Sequence, residues 1–247
     1  RGIVCLGAGI SSKHPEPVIT TLNQCRLRSD VFVLRGKKEE LVDEANGADV
    51  RAVWHDNVAY ILLEEGTVSV TTGSQSGSWS RVEEKASTDL VSQDVFTCSI
   101  NHGNKLSDAS YAYRIVPDVS VDNWAEIVEN ADVRILANTP SLQAVHVVPE
   151  RLVQVVFLAS GSVDLPDGGQ LHVDRQSALL ARVNKDLLTL TIADPAQTEL
   201  RITMLIEGHY SGENTVYLSA ENHTRVEVTL PTGFQAGRSV TLALTRH

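Results

Sequence analysis

The chain of 247 residues is long enough to form one large domain or two smaller ones, and its formal net charge is −10 at pH 7. A composition of 42% hydrophobic and 21% charged residues, with 16 Gly and 8 Pro, excludes disordered, collagen-like and disulfide-dense proteins. No window approaches eighteen consecutive apolar residues, so the sequence predicts no transmembrane helix. The acidic balance argues against broad nucleic-acid binding but is compatible with a local basic pocket for an acidic ligand.

The chain starts within a strand pattern. Ile3 to Leu6 already has the composition of a strand interior, and neither an initiator Met nor a signal-peptide pattern precedes it. Natural domains rarely begin in mid-strand. We therefore expect the chain to be the C-terminal piece of a longer protein, separated by processing, proteolysis or choice of fragment.

Alternating apolar and polar residues are the main signal in the first half of the chain. The segments are rich in β-branched and aromatic residues, and turn pairs such as Asn46-Gly47 and Glu65-Gly66 separate them. Short strands at this spacing indicate an antiparallel sandwich rather than alternating strands and helices. The predicted strands of this block are 31–34, 51–54, 58–63, 68–72, 95–100 and 111–116.

One short helix is predicted near residues 120–130, where it interrupts the β pattern. Ser120 or Asp122 can cap its N-terminus, and Trp124, Ile127 and Val128 fall on one face. The apolar surroundings of Trp54 and Trp124 predict that both indole rings lie mainly in the core.

A second block of strands follows residues 152–158. Between Asp164 and Gly169 the sequence contains Pro-Asp-Gly, which is typical of a tight turn, and we place a domain boundary near Val163, giving domains 1–163 and 164–247. Further strands are predicted at 187–192, 200–206, 215–218, 225–230 and 240–244, and the stretch 229–244 is interpreted as a closing hairpin. The predicted fold class is all-β.

Two segments partly match motifs of catalysis or cofactor binding, and both matches fail. Leu6–Ser12 places glycines after a strand as a dinucleotide-binding fingerprint does, but Pro15 and Pro17 forbid the helix that would hold the pyrophosphate. Gly73–Gly77 has the glycines of a nucleophile elbow, but Gln75 stands where the nucleophilic serine would be.

The eight histidines are scattered and form no metal-ligand spacing. The three cysteines, Cys5, Cys25 and Cys98, are expected to be buried free thiols, which leaves the redox compartment open. From the residues we predict no catalytic residue, no metal ligand and no cofactor, while a structural calcium ion stays an open alternative.

Four residues are candidates for contact with a ligand. Trp79 and Arg81 follow a glycine-serine loop, and an aromatic face beside a guanidinium suits an acidic sugar, although a core Trp beside a surface Arg is the simpler alternative. His55 and Asn57 belong to a polar triplet between two strands, which either faces a substrate or is an ordinary polar turn.

Several segments, taken together and in order, resemble polysaccharide lyase family 8, which holds hyaluronate, chondroitin AC and xanthan lyases. The segments are Ile3–Ser12 with Val18–Gln24, Trp54–Tyr60, and Ser99–Gly103 with Ala109–Tyr113 and Pro117. The resemblance covers residues 1 to about 150, and the remainder is similar to the small C-terminal β-domain of that family.

The resemblance implies the later part of a β super-sandwich in residues 1–163 and a C-terminal β-domain in residues 164–247. It further implies a secreted, extracellular bacterial enzyme that cleaves uronate-containing polysaccharide by β-elimination, with hyaluronan or chondroitin the first expectation and xanthan the second. In that family an Asn neutralises the uronate carboxylate, and a Tyr helped by a His removes the proton.

Those catalytic groups lie on a helical half that this chain lacks, so none is assigned to a residue here and the chain alone is expected to be inactive. The expected partners are an acidic polysaccharide and the helical half of the same enzyme, without nucleic acid or membrane. The alternative function is a stand-alone carbohydrate-binding or structural β-sandwich module.

Overall fold

A computed structural model of the chain describes residues 2–130, 132–166 and 169–247. The chain divides into two compact units, Arg1–Asn130 and Ala131–His247. Nearly all of the regular structure is β, which confirms the predicted fold class. Of the helices in the described part of the chain, none has the length and apolar character needed to cross a membrane.

The first unit is built from two antiparallel sheets and one helix. Six strands form one sheet in the order β1-β10-β7-β6-β3-β4, and four form the other in the order β2-β9-β8-β5. The elements are β1 (Ile3–Ile10), β2 (Ile19–Arg26), β3 (Val31–Arg35), β4 (Lys38–Leu41), β5 (Glu44–Gly47), β6 (Val50–His55), β7 (Val58–Leu62), β8 (Thr67–Gly77), β9 (Val91–Asn101), β10 (Ala109–Pro117) and α1 (Trp124–Glu129).

The two sheets of the first unit bury their facing apolar side chains against each other. Val33 and Val53 from the six-stranded sheet and Val70, Phe96 and Cys98 from the four-stranded sheet belong to one cluster, and none is more than 1% exposed. Full burial of one aliphatic side chain contributes about 1.5–3 kcal/mol. The apolar residues that alternate along the strands in the sequence are thus the side chains that fill the interior of this sandwich.

The six-stranded sheet also buries its other face, through α1 and the segment before it. Trp54 and Trp124 are 6% and 0% exposed, so the prediction that both lie in the core is confirmed. Trp54 Nε1 donates to the carbonyl of Val119 at 2.8 Å, and Trp124 Nε1 donates to Glu39 Oε2 at 2.8 Å. Burial on both faces explains why β6 carries apolar side chains on both of them, with Val53 in one cluster and Ala52 and Trp54 in the other.

The short helix is confirmed, but its predicted cap is wrong. α1 begins at Trp124 with Asn123 as N-cap, and no side chain caps it. The hydroxyl of Ser120 donates to Asn123 Oδ1 at 3.1 Å, and it accepts no backbone N–H of the helix as a cap would. Packing of the Trp124 ring, rather than capping, therefore holds the helix in place.

The second unit is a sandwich of two further antiparallel sheets. Their strand orders are β11-β12-β13-β16-β17-β22-β19 and β14-β15-β18-β21-β20. The strands are β11 (Val133–Asn138), β12 (Leu142–Val147), β13 (Leu152–Phe157), β14 (Gly161–Asp164), β15 (Gln170–Val173), β16 (Ser177–Asn184), β17 (Leu187–Ala193), β18 (Arg201–Glu207), β19 (Tyr210–Ser211), β20 (Thr215–Leu218), β21 (His223–Thr229) and β22 (Val240–Arg246).

Two sequence-based predictions for this unit differ from the structure. The domain boundary predicted near Val163 falls inside the second unit, because β13 pairs with β16 and so ties residues 152–157 to strands on the far side of that boundary. The closing hairpin is wrong, because β21 and β22 belong to different sheets. The Pro-Asp-Gly turn includes residues 167 and 168, which lie outside the described residues.

Candidate functional site

The four residues predicted to contact a ligand lie in two separate places of the first unit. His55 ends β6 and Asn57 lies in the turn to β7, whereas Trp79 and Arg81 lie between β8 and β9. The His55 ring contacts Phe96 of β9, and the β8–β9 loop begins beyond Val91 of the same strand. Five residues of strand span about 17 Å, so the two pairs do not form one site.

His55 is buried rather than presented to a ligand. Its side chain lies on the same face of β6 as that of Val53 and is 1% exposed. Its ring stacks on that of Phe96 at a centroid distance of 4.4 Å. Nε2 accepts a hydrogen bond from the backbone N–H of Arg28 at 3.2 Å. The structure therefore does not support the prediction that His55 contacts a substrate, because the β6 pleat directs this side chain into the core.

A polar cluster surrounds His55 between the sheets. Cys25 Sγ lies 3.8 Å from His55 Nδ1, and Asn23 Nδ2 donates to the hydroxyl of Tyr60 and, at 3.6 Å, to Cys25 Sγ. Burial lowers the pKa of His55, raises the pKa of Cys25 and raises the pKa of Tyr60 to about 12. All three are therefore neutral at pH 7, and the cluster provides neither a thiolate nor a phenolate for catalysis.

Asn57 is exposed for a reason of backbone geometry. Asp56 and Asn57 form a two-residue loop between the paired residues His55 and Val58, with φ of 47° and 62°. A two-residue hairpin with two left-handed residues favours Asn and Asp. The carbonyl of Asn57 accepts a hydrogen bond from the N–H of Val119 at 3.0 Å. The turn therefore explains this residue type without a ligand.

Trp79 and Arg81 lie at the tip of a hairpin that extends beyond the sandwich. We call residues 73–94 the β8–β9 arm: its two strands stay paired as far as Gly77 and Val91, and most of their side chains are exposed. The tip contains a 3₁₀ turn, Trp79–Arg81, in which the carbonyl of Trp79 accepts the N–H of Val82 at 3.0 Å.

The arm tip presents an aromatic ring and a cation to solvent. Trp79 is 62% exposed, so the alternative of a core tryptophan is wrong for this residue. Among the described residues Arg81 forms no ion pair. The tip also carries Glu83, Glu84 and Asp89, so an acidic sugar would have to be held by direct contact with Arg81 rather than by the net charge of the loop.

Two cavities were not indicated by the sequence patterns. One, of about 500 Å³, lies in the first unit and is lined by two lysines and three serines. The other, of about 240 Å³, lies in the second unit and is lined by Asp194, Glu199 and Arg238 among others. The lining residues come from loops far apart in the chain, so no local motif reveals them.

Asp194 stabilises the loop at the second cavity. It is 2% exposed and accepts hydrogen bonds from the backbone N–H groups of Ala196, Thr198 and Glu199 at 2.9, 2.7 and 2.8 Å. Burial alone would raise the pKa of this carboxyl, but these donors outweigh it and hold the pKa below its usual value. Asp194 is thus an internal loop anchor and is not available to a ligand.

Both units match models of known protein domains. Residues 1–127 match the super-sandwich domain of polysaccharide lyase family 8, and residues 134–203 match the C-terminal β-sandwich domain of the same family. The first match ends at residue 127 and the second begins at residue 134, and the division between the compact units falls between these two positions.

Individual relatives agree with these matches. Chondroitinase-AC of Pedobacter heparinus is 32% identical over 98% of this chain and 33% of its own length, and a hyaluronate lyase of Thermasporomyces composti is 28% identical over 81% of this chain and 26% of its own length. The chain thus spans about a quarter to a third of the length of these two relatives.

Solved structures give the same result for the fold. A chondroitinase AC lyase studied as enzyme–oligosaccharide complexes aligns with a TM-score of 0.81 and 31% identity over 97% of this chain and 34% of its own. A Paenibacillus xanthan lyase aligns with a TM-score of 0.82 and 17% identity over 100% of this chain and 25% of its own, a likeness of fold alone.

Proposed function

The chain belongs to polysaccharide lyase family 8, and we propose that it is the β-sheet part of a secreted enzyme that cleaves a uronate-containing polysaccharide by β-elimination. The observation that carries the proposal is the 32% identity to chondroitinase-AC over 98% of the chain, through both units. Hyaluronan or chondroitin is the first candidate substrate, since the relatives with the higher identities are named for them, and xanthan is the second.

The catalytic groups belong to a helical half outside this chain. β-Elimination needs a base for the α-proton and a group that stabilises the developing enolate charge. The buried Cys25, His55 and Tyr60 are neutral and enclosed between sheets, so they fulfil neither requirement. We therefore propose that the chain alone is inactive and that its part in the reaction is to bind polysaccharide and support the catalytic half.

The β8–β9 arm is the proposed contact of this chain with the polymer. Trp79 offers an exposed ring for stacking on a pyranose, and Arg81 offers a guanidinium for a carboxylate. Because the arm projects from the sandwich, a long polysaccharide reaches it without entering an enclosed pocket.

An assay of unsaturated uronate formation tests the proposal. The 247-residue chain and the protein carrying its helical half are each incubated with hyaluronan, chondroitin and xanthan, and ultraviolet absorbance is followed. We expect product only with the helical half, and with hyaluronan or chondroitin. Product formed by the chain alone would contradict the assignment of catalysis to the helical half. Glycan binding without any product in both samples would favour the binding-module alternative.

A further inference from the structure

Two loops of the first unit run side by side where the chain crosses between its sheets. β1 belongs to the six-stranded sheet and β2 to the four-stranded one, so the loop 11–18 crosses from one to the other. β9 and β10 are the pairing partners of β2 and β1, so the loop 102–108 crosses back beside it. The topology therefore brings together residues that are far apart in sequence.

Hydrogen bonds fasten the two loops to each other. They are Ser12 N–H to the Leu106 carbonyl at 2.9 Å, Lys105 N–H to the His14 carbonyl at 3.3 Å, Asn104 Nδ2 to the Pro15 carbonyl at 2.9 Å and Asp108 N–H to Ser11 Oγ at 3.1 Å. Pro15 and Pro17 restrict one loop, and Lys105 and Asp108 hold left-handed φ of 49° and 59° in the other. Left-handed non-glycine residues persist only where their surroundings fix them, so the backbone here is preorganised.

The cavity of about 500 Å³ lies between these loops, and we call it the lysine cleft. Its lining consists of Ser11, Ser12, Lys13, Lys105, Leu106 and Ser107, without a carboxylate. Its volume is within the range typical of small-ligand sites. Within the described part of the chain, neither lysine forms an ion pair, and the acidic residues of the two loops, Glu16 and Asp108, pair with neither of them.

The polar groups of the lysine cleft can act as donors. Ser11 Oγ accepts the N–H of Asp108, and Ser12 Oγ accepts the N–H of His14 at 3.2 Å, so each hydroxyl proton stays free to donate. Each lysine adds an ammonium group with three donors. Donors and positive charge without a lining carboxylate are the features expected of an anion site.

We propose that the lysine cleft binds the anionic group of an acidic sugar, a uronate carboxylate or a sulfate ester, between Lys13 and Lys105. The identification of the anion with a glycan rests on the proposed function, whereas the preference for an anion rests on the cleft itself. The cleft lies beyond Asn101 at one end of β9, and the arm begins beyond Val91 at the other. Eleven residues of strand span about 35 Å, so cleft and arm contact different sugars of a polymer.

Calorimetric titration of the intact chain tests the proposal. The ligands are hyaluronan, unsulfated chondroitin and chondroitin 4-sulfate oligosaccharides, with a neutral oligosaccharide of equal length for reference. The variant is Lys13→Gln with Lys105→Gln, and the control is Lys37→Gln with Lys185→Gln, which removes the same charge at exposed lysines outside the cleft. Loss of two charge-assisted contacts is expected to weaken acidic glycan binding about tenfold or more, and the control to change it less than about twofold.

The outcomes separate this proposal from the proposed function. If the cleft variant binds all acidic ligands more weakly, the carboxylate is the bound group. If it binds only the sulfated ligand more weakly, the sulfate is the bound group. In either case, Lys→Arg at both positions should keep the binding of the unaltered chain. Unchanged affinity in the cleft variant overturns the proposal, as does equal weakening in the control. If Arg81→Ala abolishes binding while the cleft variant does not, the lysine cleft is overturned and the arm of the proposed function stands.

Discussion

Between its two sheets the first unit buries a histidine that is surrounded by a cysteine, an asparagine and a tyrosine hydroxyl. In the second unit, mainly aliphatic side chains fill the space between the two sheets. His55 is 1% exposed in the first, and Leu190, Ile202 and Met204 are each 0% exposed in the second. Tyr210 is one of few aromatic residues in that second core.

This difference indicates which kind of change lowers the stability of each unit. A buried polar cluster is stable only while its hydrogen bonds are made and its groups stay neutral, so the first unit should respond to protonation. An aliphatic core depends on packing and volume and is indifferent to pH. The second unit also buries polar side chains, namely those of His146, Ser177, Asp194 and Thr224, and of these Asp194 anchors a loop.

The largest expected effect is the loss of a buried indole from the first unit. Trp124→Ala removes a fully buried ring and its hydrogen bond to Glu39, and should lower the free energy of unfolding by about 3–5 kcal/mol. Trp79→Ala, the matched control on the exposed arm, should change it by less than about 0.5 kcal/mol. Denaturant titration measures both, and hydrogen exchange shows whether the loss is confined to residues 2–130. Similar losses in the two variants would contradict the assigned burial.

The next effect concerns the loop anchor of the second unit. Asp194→Ala leaves three backbone N–H groups without their acceptor and should cost about 1–3 kcal/mol, whereas Asp186→Ala in the exposed β16–β17 turn should cost almost nothing. Because the folded pKa of Asp194 is lowered, its stabilisation is complete above the ordinary Asp pKa and is lost as pH falls through the folded value. A variant whose acid denaturation matches that of the wild type would count against this role.

The third effect is the pH response of the polar cluster. The folded pKa of His55 is lowered by burial, so the unfolded chain takes up the proton first, and stability is lost as pH falls below the ordinary His pKa of about 6.5. The loss is at most about 1.4 kcal/mol per pH unit for one group. Burial lowers the pKa of His102 as well, so both histidines contribute to the loss of stability of the first unit as the pH falls.

Hydrogen exchange at neutral and mildly acidic pH checks this prediction. Protection should fall in the first unit and change little in the second, and His55→Gln should flatten the response of the first unit. A response of equal size in both units would mean that the polar cluster is not its source.

Strands with a strong pattern of their own could be predicted from sequence, and strands that depend on their partners could not. Segments 58–63 and 215–218 differ from β7 and β20 by at most one residue. β4, with the sequence Lys-Glu-Glu-Leu, has no alternating apolar face and is a strand because it pairs with β3. The closing hairpin failed for a related reason, since alternation reveals that residues form strands but not which sheet each joins.

The candidate site was less predictable than the fold. The sequence selected Trp79 and Arg81 as ligand contacts but left a core Trp79 as the simpler alternative, and only the structure shows that this ring is exposed. The sequence also selected His55, since a histidine beside a turn has the same local pattern whether it faces solvent or core. The lysine cleft had no local signal, because Lys13 and Lys105 meet only through the crossing of two loops.

The smallest expected effect is that of an exposed ion pair in the first unit. Arg51 Nη1 lies 2.5 Å from Glu129 Oε1, and this contact lowers the pKa of the Glu129 carboxyl. Both side chains are largely accessible to water, which screens the attraction and leaves little net stability. A double-mutant cycle of Arg51→Ala and Glu129→Ala should therefore give a coupling far below the cost of Trp124→Ala, and one that vanishes in high salt. A large, salt-independent coupling would show that α1 is held by charge as well as by the Trp124 ring, and would extend the polar character of the first unit to its outer face.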